Sequence, residues 1–228
     1  MIPSETHNLF FADRYDAGRQ LATKLVSYAG RPDTVVLGLP RGGIPVAYEV
    51  ARCLSLPLDV FVVRKLGAPG HKELALGALA SGGIRSLNKR IISSLNITPE
   101  ILQRIESQEQ TELSRKEALY RNQRPLNLQD KVVIVIDDGL ATGATMRAAC
   151  TAISHLSPKE IIVAVPVGSA ETRRDLENEL TRLHPNFSCV ILNQPEDLSS
   201  VGSWYRDFAQ ISDEEVRKLL AKSSNYLL

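Results

Sequence analysis

Two adjacent carboxylates, Asp137 and Asp138, follow an unbroken apolar run, Val132-Val-Ile-Val-Ile136. Burying such a pair is costly unless a ligand or a metal meets it. Gly139-Leu-Ala141-Thr142-Gly143-Ala144-Thr145 comes next, small and hydroxylated, and leads into a helical pattern. The backbone N–H groups of such a loop, with a helix N-terminus behind them, form an anion site. Thr142 and Thr145 add hydroxyl donors, and Gly143 lets a phosphate approach the backbone closely. Acids accept from sugar hydroxyls while the loop holds a phosphate, so a sugar phosphate is the expected ligand. Asp138 is expected to face that ligand rather than a partner in the core. A side chain at Gly143 is expected to block the phosphate and leave the fold intact. The plainer alternative is that Asp138 and the threonines only cap a turn and a helix.

Three further segments carry chemistry. Gly38-Leu-Pro40-Arg41-Gly42-Gly43-Ile-Pro45 reads as strand, Gly-rich turn and helix. It is neither a Gly-x-Gly-x-x-Gly fingerprint nor a P-loop, so dinucleotide and nucleoside-triphosphate readings fail. Phe61-Val-Val-Arg64-Lys65 reads as a strand ending in two cations, and either could hold a diphosphate at a sheet's ligand edge. Val201-Gly-Ser-Trp204-Tyr205-Arg-Asp-Phe208 holds the only tryptophan, whose ring could stack on a flat ligand or simply pack. His7, His71, His155 and His184 show no metal-ligand spacing, and only His71 lies beside a candidate loop. No Ser/His/Asp or Cys/His arrangement suggests a covalent nucleophile.

These groups need a scaffold. With 228 residues, 43% hydrophobic and 23% charged, the chain can bury a sizeable core and is not a disordered or collagen-like sequence. Short apolar runs at 34–39, 58–63, 75–80, 131–136, 160–167 and 188–192 alternate with helical periodicity at 13–28, 44–54, 142–156 and 170–183. That alternation predicts an α/β fold with a twisted, mostly parallel five-stranded sheet and flanking helices. A long helix is expected over 98–121, its end basic through Arg115, Lys116, Arg121 and Arg124. This helix reads either as a solvated element or as an arm carrying cations to an anionic ligand. A capping box at Ser212–Glu215 opens a last helix. The expected organisation is one domain over 1–228. Its core spans about 13–192, and a small hood spans about 193–228 with help from the N-terminal helix.

The charge balance, 27 basic against 26 acidic residues, argues against a nucleic-acid coat or a polybasic membrane binder. The three scattered cysteines suit a reducing compartment. No stretch is long enough to span a membrane and the N-terminus lacks a signal pattern, so a cytoplasmic protein is expected.

The run from Asp137 to Thr145 resembles the phosphoribosyl-diphosphate (PRPP) signature of the type I phosphoribosyltransferases: strand, two acids, a variable stretch, then Thr-Gly-x-Thr. The order and spacing of the Gly38–Pro45 and Phe61–Lys65 segments agree. The resemblance is strongest to a bacterial group of undefined substrate that shares Asp-Asp-Gly-Leu-Ala-Thr-Gly-Ala-Thr and Val-Gly-x-Trp-Tyr. It implies that Asp137 and Asp138 bind the ribose hydroxyls with Mg²⁺ nearby, reached through water. It implies that Gly139, Ala141, Thr142, Gly143, Ala144 and Thr145 hold the PRPP. Arg41 and Gly42, with Arg64 or Lys65, would meet the diphosphate and assist its departure. Trp204 and Tyr205 would sit in the hood that binds the acceptor base. A flexible loop would lie within 67–83 or at the basic helix end. Hypoxanthine–guanine enzymes carry an aspartate where this chain has Ala141, which puts a 6-oxopurine in doubt. The implied partners are PRPP and a small-molecule acceptor, with a homo-oligomer compatible. A PRPP-sensing regulator and a ribose-phosphate hydrolase are the rival readings on the same fold.

Overall fold

The computed structural model describes residues 10–121 and 126–224, without the side chains of 71–73 and 224. His7 and Arg124 lie outside the described residues, and so does the side chain of His71.

Helix α1 (Arg14–Ala22) starts where the Asp13 carboxylate accepts from the Asp16 N–H, an N-cap. It stops short of Tyr28. The Thr23 hydroxyl turns back to the Gln20 carbonyl at 2.7 Å, and a 3₁₀ turn (Val26–Tyr28) carries the chain into β1 (Thr34–Gly38). Helix α2 (Gly43–Leu54) follows with Pro45 in its first turn, where the missing N–H costs no hydrogen bond. Strand β2 (Leu58–Val60) ends earlier than the apolar run suggests.

Here the fold departs from a simple α/β alternation. Strands β3 (Val63–Ala68), β4 (His71–Ala80) and β5 (Ile84–Leu87) form a separate antiparallel sheet, with short helix α3 (Lys89–Ser94) and long helix α4 (Pro99–Arg121) after it. The run 58–63 is thus split between two sheets. Gly77 does not break β4; its lack of a side chain permits the pairing, because a Cβ there would sit 2.2 Å from the Ser86 carbonyl oxygen.

The chain then returns to the main sheet through β6 (Val132–Ile136), α5 (Ala144–Ser154), β7 (Glu160–Val167), α6 (Ala170–Leu183) and β8 (Phe187–Asn193). The five strands are all parallel, in the order β2-β1-β6-β7-β8. All five residues of β6 are buried, as expected of a central parallel strand covered on both faces. Its alternation divides the core. Val132, Ile134 and Ile136 meet Leu21, Val46, Val50 and Leu54 of α1 and α2. Val133 and Val135 meet Met146, Ile153, Leu176 and Leu180 of α5 and α6. A third apolar cluster joins Leu66 and Leu76 of the small sheet to Leu113 and Tyr120 of α4. It also takes in Val216 and Leu219 of the last helix, α7 (Asp213–Ser224).

Candidate functional site

Strands β1 and β6 are hydrogen-bonded neighbours, so their C-terminal loops emerge side by side. The Leu39 N–H donates to the Ile136 carbonyl at 2.8 Å. The first loop carries Pro40, Arg41 and Gly42, with a cis Pro40–Arg41 peptide. The second carries Asp137 and Asp138. Contact between them is close enough to dictate two glycines. A Cβ on Gly42 would fall 2.0 Å from Asp138 Oδ2, and one on Gly43 would fall 2.8 Å from Asp137 Cα.

The acid pair is not left to solvent. The Asp138 N–H donates to Asp137 Oδ1 at 2.9 Å. Arg14 Nε donates to Asp138 Oδ2 at 2.8 Å, and these side chains are only 8% and 17% exposed. Arg14 Nη1 also donates to the Ala209 carbonyl at 2.9 Å, and its guanidinium lies 3.7 Å above the Phe208 ring. The expectation that Asp138 faces a ligand without a core partner is therefore corrected: α1 supplies it a cation. Burial and the Asp138 charge hold the Asp137 carboxyl well above the usual carboxylate range. Burial raises Asp138 too, against the opposing pull of Arg14.

The cradle follows the acids. Ala141, Thr142 and Thr145 are exposed at the start of α5, and the Thr172 hydroxyl donates to the Ala141 carbonyl at 2.9 Å, tying the loop to α6. Gly143 takes a left-handed φ of 70° immediately before Ala144 begins the helix. The helix thus starts two residues later than the pattern suggested. A Cβ on Gly143 would meet Thr172 Cγ2 at 3.0 Å, so a side chain there strains the loop itself as well as any bound phosphate. Gly139 is pinned by the C-terminal segment, since a Cβ would fall 2.4 Å from Val201 Cγ1.

That segment is joined to the N-terminus. Phe11 pairs with Tyr205, with the Phe11 N–H donating to the Trp204 carbonyl and the Arg206 N–H to the Phe11 carbonyl, both at 2.9 Å. Tyr205 is 6% exposed and donates its hydroxyl to the Asp138 carbonyl at 2.5 Å. It is a strut beneath the acid loop, not a surface for a flat ligand, because its ring is enclosed by Phe11 and Phe208. Trp204 is half-buried and stacks on Phe10 with ring centroids 5.8 Å apart.

The strand pleat separates the two candidate cations of β3. Arg64 faces α4 and pairs with Glu109 at 2.6 Å. Lys65 points the other way, into a cavity of about 670 Å³ that α5 lines through Ala144, Arg147 and Thr151. Arg64, not Lys65, is thus the β3 cation on the Arg41 side, where Lys116 feels the charge of both arginines. The basic end of α4 is largely neutralised: Arg121 is buried against Asp59 at 3.1 Å, and Arg115 pairs with Glu112 at 3.2 Å. The stretch 67–83 proves to be mostly the β3–β4 hairpin.

Sequence reasoning missed Arg14. A signal was present: Arg14 lies at the i and i+3 to i+7 spacing of Ala17 and Leu21, on the stripe α1 buries. A cation inside an apolar stripe calls for a buried acid.

A parallel sheet with a carboxylate pair and a threonine-bearing loop at the ends of its central strands places the chain among α/β proteins whose candidate site lies at the C-terminal edge of the sheet. Residues 11–192 match the phosphoribosyl transferase domain family, and the chain belongs to that family. A protein of Mycobacterium tuberculosis strain H37Rv, named provisionally as a phosphoribosyl transferase, is 39% identical over 214 residues. That match takes in 93% of this chain and 47% of the relative, so the chain spans about half the length of the curated relatives it matches. The crystal structure of TT1426 from Thermus thermophilus is 39% identical, covers 93% of this chain and 98% of that one, and superposes with a TM-score of 0.81. The AQ2163 protein of Aquifex aeolicus, 13% identical with a TM-score of 0.50 over 83% of this chain and 78% of its own, shares the fold alone. Among the described residues no helix is long and apolar enough to cross a membrane.

Proposed function

We propose that the chain binds PRPP with Mg²⁺ and transfers the ribose 5-phosphate to a nitrogen nucleophile, releasing diphosphate. The observation that carries this reading is the meeting of the Arg41–Gly42 and Asp137–Thr145 loops at adjacent strand ends, with Thr142 and Thr145 exposed where α5 begins. Family membership supports the same chemistry.

In this reading the N-terminus of α5, with Thr142 and Thr145, holds the 5′-phosphate. Asp137 and Asp138 accept from the ribose hydroxyls. Arg14, Gly42 and Tyr205 fix where those carboxylates stand. Arg41 and Arg64 stabilise the negative charge that develops on the diphosphate as the bond to ribose C1 breaks. Among the described residues no cluster of three metal-ligating side chains exists. The adjacent carboxylates of Asp137 and Asp138 suit magnesium, which keeps waters and substrate oxygens and needs only one or two carboxylates. Asp137 and Asp138 would hold it through water, and it would supply further neutralisation of the diphosphate. No side-chain nucleophile is required: positioning and electrostatics suffice. Trp204 is the candidate contact for the acceptor. Ala141 in place of an acid counts against a 6-oxopurine and leaves adenine- and uracil-type acceptors open.

The test is diphosphate release from PRPP against a panel of bases and orotate, with and without Mg²⁺. Base-dependent, Mg²⁺-dependent release supports transfer. Release of ribose 5-phosphate at the same rate without any base replaces transfer with hydrolysis. Tight PRPP binding without turnover on any acceptor replaces it with PRPP sensing.

A further inference from the structure

Helix α4 follows the small antiparallel sheet and lies outside the five-stranded core, yet its last two turns reach the edge of the site. Leu113, Lys116 and Tyr120 recur at i, i+3 and i+7, one face of the helix. Leu113 and Tyr120 are buried on that face. Tyr120 donates its hydroxyl to Asp213 Oδ1 at 2.6 Å, and the same oxygen lies 3.9 Å from Arg41 Nη1. One turn before Tyr120, Lys116 therefore looks toward the Arg41 loop. Arg64, on the adjoining β3, is held by Glu109 of the same helix at 2.6 Å.

Lys116 is thus half-buried among cations. Burial lowers its ammonium from the usual lysine range, and Arg64, Arg41 and Arg115 lower it further, with Asp213 opposing. The carboxylate that opposes them, Asp213, already engages Tyr120 and Arg41, while on α4 Glu109 engages Arg64 and Glu112 engages Arg115. Arg41 and Arg64 thus have carboxylate partners, whereas Lys116 forms no ion pair among the described residues, which leaves the cluster an excess of positive charge. An anion with several oxygens is what the cluster lacks.

We propose that Lys116 is a diphosphate-binding residue, completing with Arg41 and Arg64 an anion site shared between the core and α4. The assignment rests on the PRPP reading above and extends it to a residue outside the sheet. A diphosphate presents enough oxygens to engage all three cations, whereas a ribose 5-phosphate seated in the α5 cradle would not reach them. On binding, phosphate oxygens exchange with the Glu109 and Asp213 carboxylates for Arg64 and Arg41.

Calorimetry on the whole chain with three probes, Mg–PRPP, Mg–diphosphate and ribose 5-phosphate, tests this for wild type, Lys116→Met and Lys116→Arg. Lys116→Met should weaken PRPP and diphosphate by about 10-fold or more, the loss of one charge-assisted hydrogen bond. Ribose 5-phosphate affinity should stay within about 2-fold of wild type, inside ordinary surface-mutation effects. Lys116→Arg should restore most of the diphosphate affinity. The melting temperature of Lys116→Met should be unchanged or higher, since like-charge repulsion is relieved, so a purely structural role is separated from binding. Equal diphosphate affinity in wild type and Lys116→Met overturns the assignment. Wild type that binds diphosphate but not PRPP refutes the PRPP reading while Lys116 is still judged on diphosphate. Wild type that binds neither refutes both.

Discussion

Replacing Arg14 with alanine isolates the contact that ties α1 to the acid loop. The lost groups are the 2.8 Å bond to Asp138, the 2.9 Å bond to the Ala209 carbonyl and the cation over the Phe208 ring. The larger penalty comes from what stays behind: Asp138, mostly buried, beside the Asp137 carboxyl and with no cation. Breaking a buried pair by removing one partner costs about 3–5 kcal/mol. Because Asp138 keeps 17% exposure, the lower end applies, about 3 kcal/mol. For a chain of this size each kcal/mol moves the melting temperature by about 2–4 °C, so a fall of roughly 6–12 °C is expected. Circular dichroism melts in magnesium-free buffer measure it. The alanine also removes the ring and carbonyl contacts, so a double-mutant cycle with Asp138→Asn is needed to isolate the pair. Neutralising Asp138 removes the stranded charge, so the double variant should be more stable than the sum of the single losses by about 1–3 kcal/mol. Single losses that add within about 0.5 kcal/mol would refute the argument. So would an Arg14→Ala melt within about 2 °C of wild type, a shift worth no more than a surface change.

Gly42→Ala should shift Asp138 off Arg14, because the new Cβ would lie 2.0 Å from Asp138 Oδ2. Overpacking of this kind costs about 1–3 kcal/mol, and PRPP affinity measured by calorimetry should fall at least about tenfold; wild-type affinity would show that the two loops are not in contact. Asp137→Asn tests the raised carboxyl. A carboxyl raised by folding contributes stability that is complete below its unfolded range and is lost as pH rises through the folded value. In magnesium-free buffer the asparagine variant, fixed neutral, should therefore gain in melting temperature over wild type as pH rises above about 4, and a pH-independent difference would contradict the shift.

What the sequence made legible was local. Strand β6 announces itself by five apolar residues, and the acids, cradle and α5 follow without a break, so motif and structure coincide there. The order of buried strands and helices was enough for a parallel five-stranded sheet, because each α/β unit is written in consecutive residues. The small sheet was not legible. Its first hairpin holds Gly67 in β3, Gly70 in the turn and Gly77 in β4, and β4 pairs through a glycine that composition alone marks as a breaker. Arg64 and Lys65 were adjacent cations in the sequence, yet the strand's period of two sends them to opposite faces. That period was available in the residues, and only the location of the strand was missing. The partners of the site lay furthest from reach. Arg14 meets Asp138 across 124 residues, Tyr205 reaches it across 67, and Arg41 meets Asp213 from the far end of the chain. No periodicity encodes such pairings. A burial argument can still find them: a charged side chain on a buried stripe must have a counter-charge, and a carboxylate pair after a buried strand must have a cation. Applied to α1 and β6, those two requirements mark Arg14 and Asp138 as residues that each need an opposite charge, and the fold brings them together. Applied to the buried face of α4, the same reasoning finds Lys116 facing Arg41 and Arg64, with only the already engaged Asp213 opposite in sign, and the diphosphate proposal supplies the missing counter-charge from a ligand.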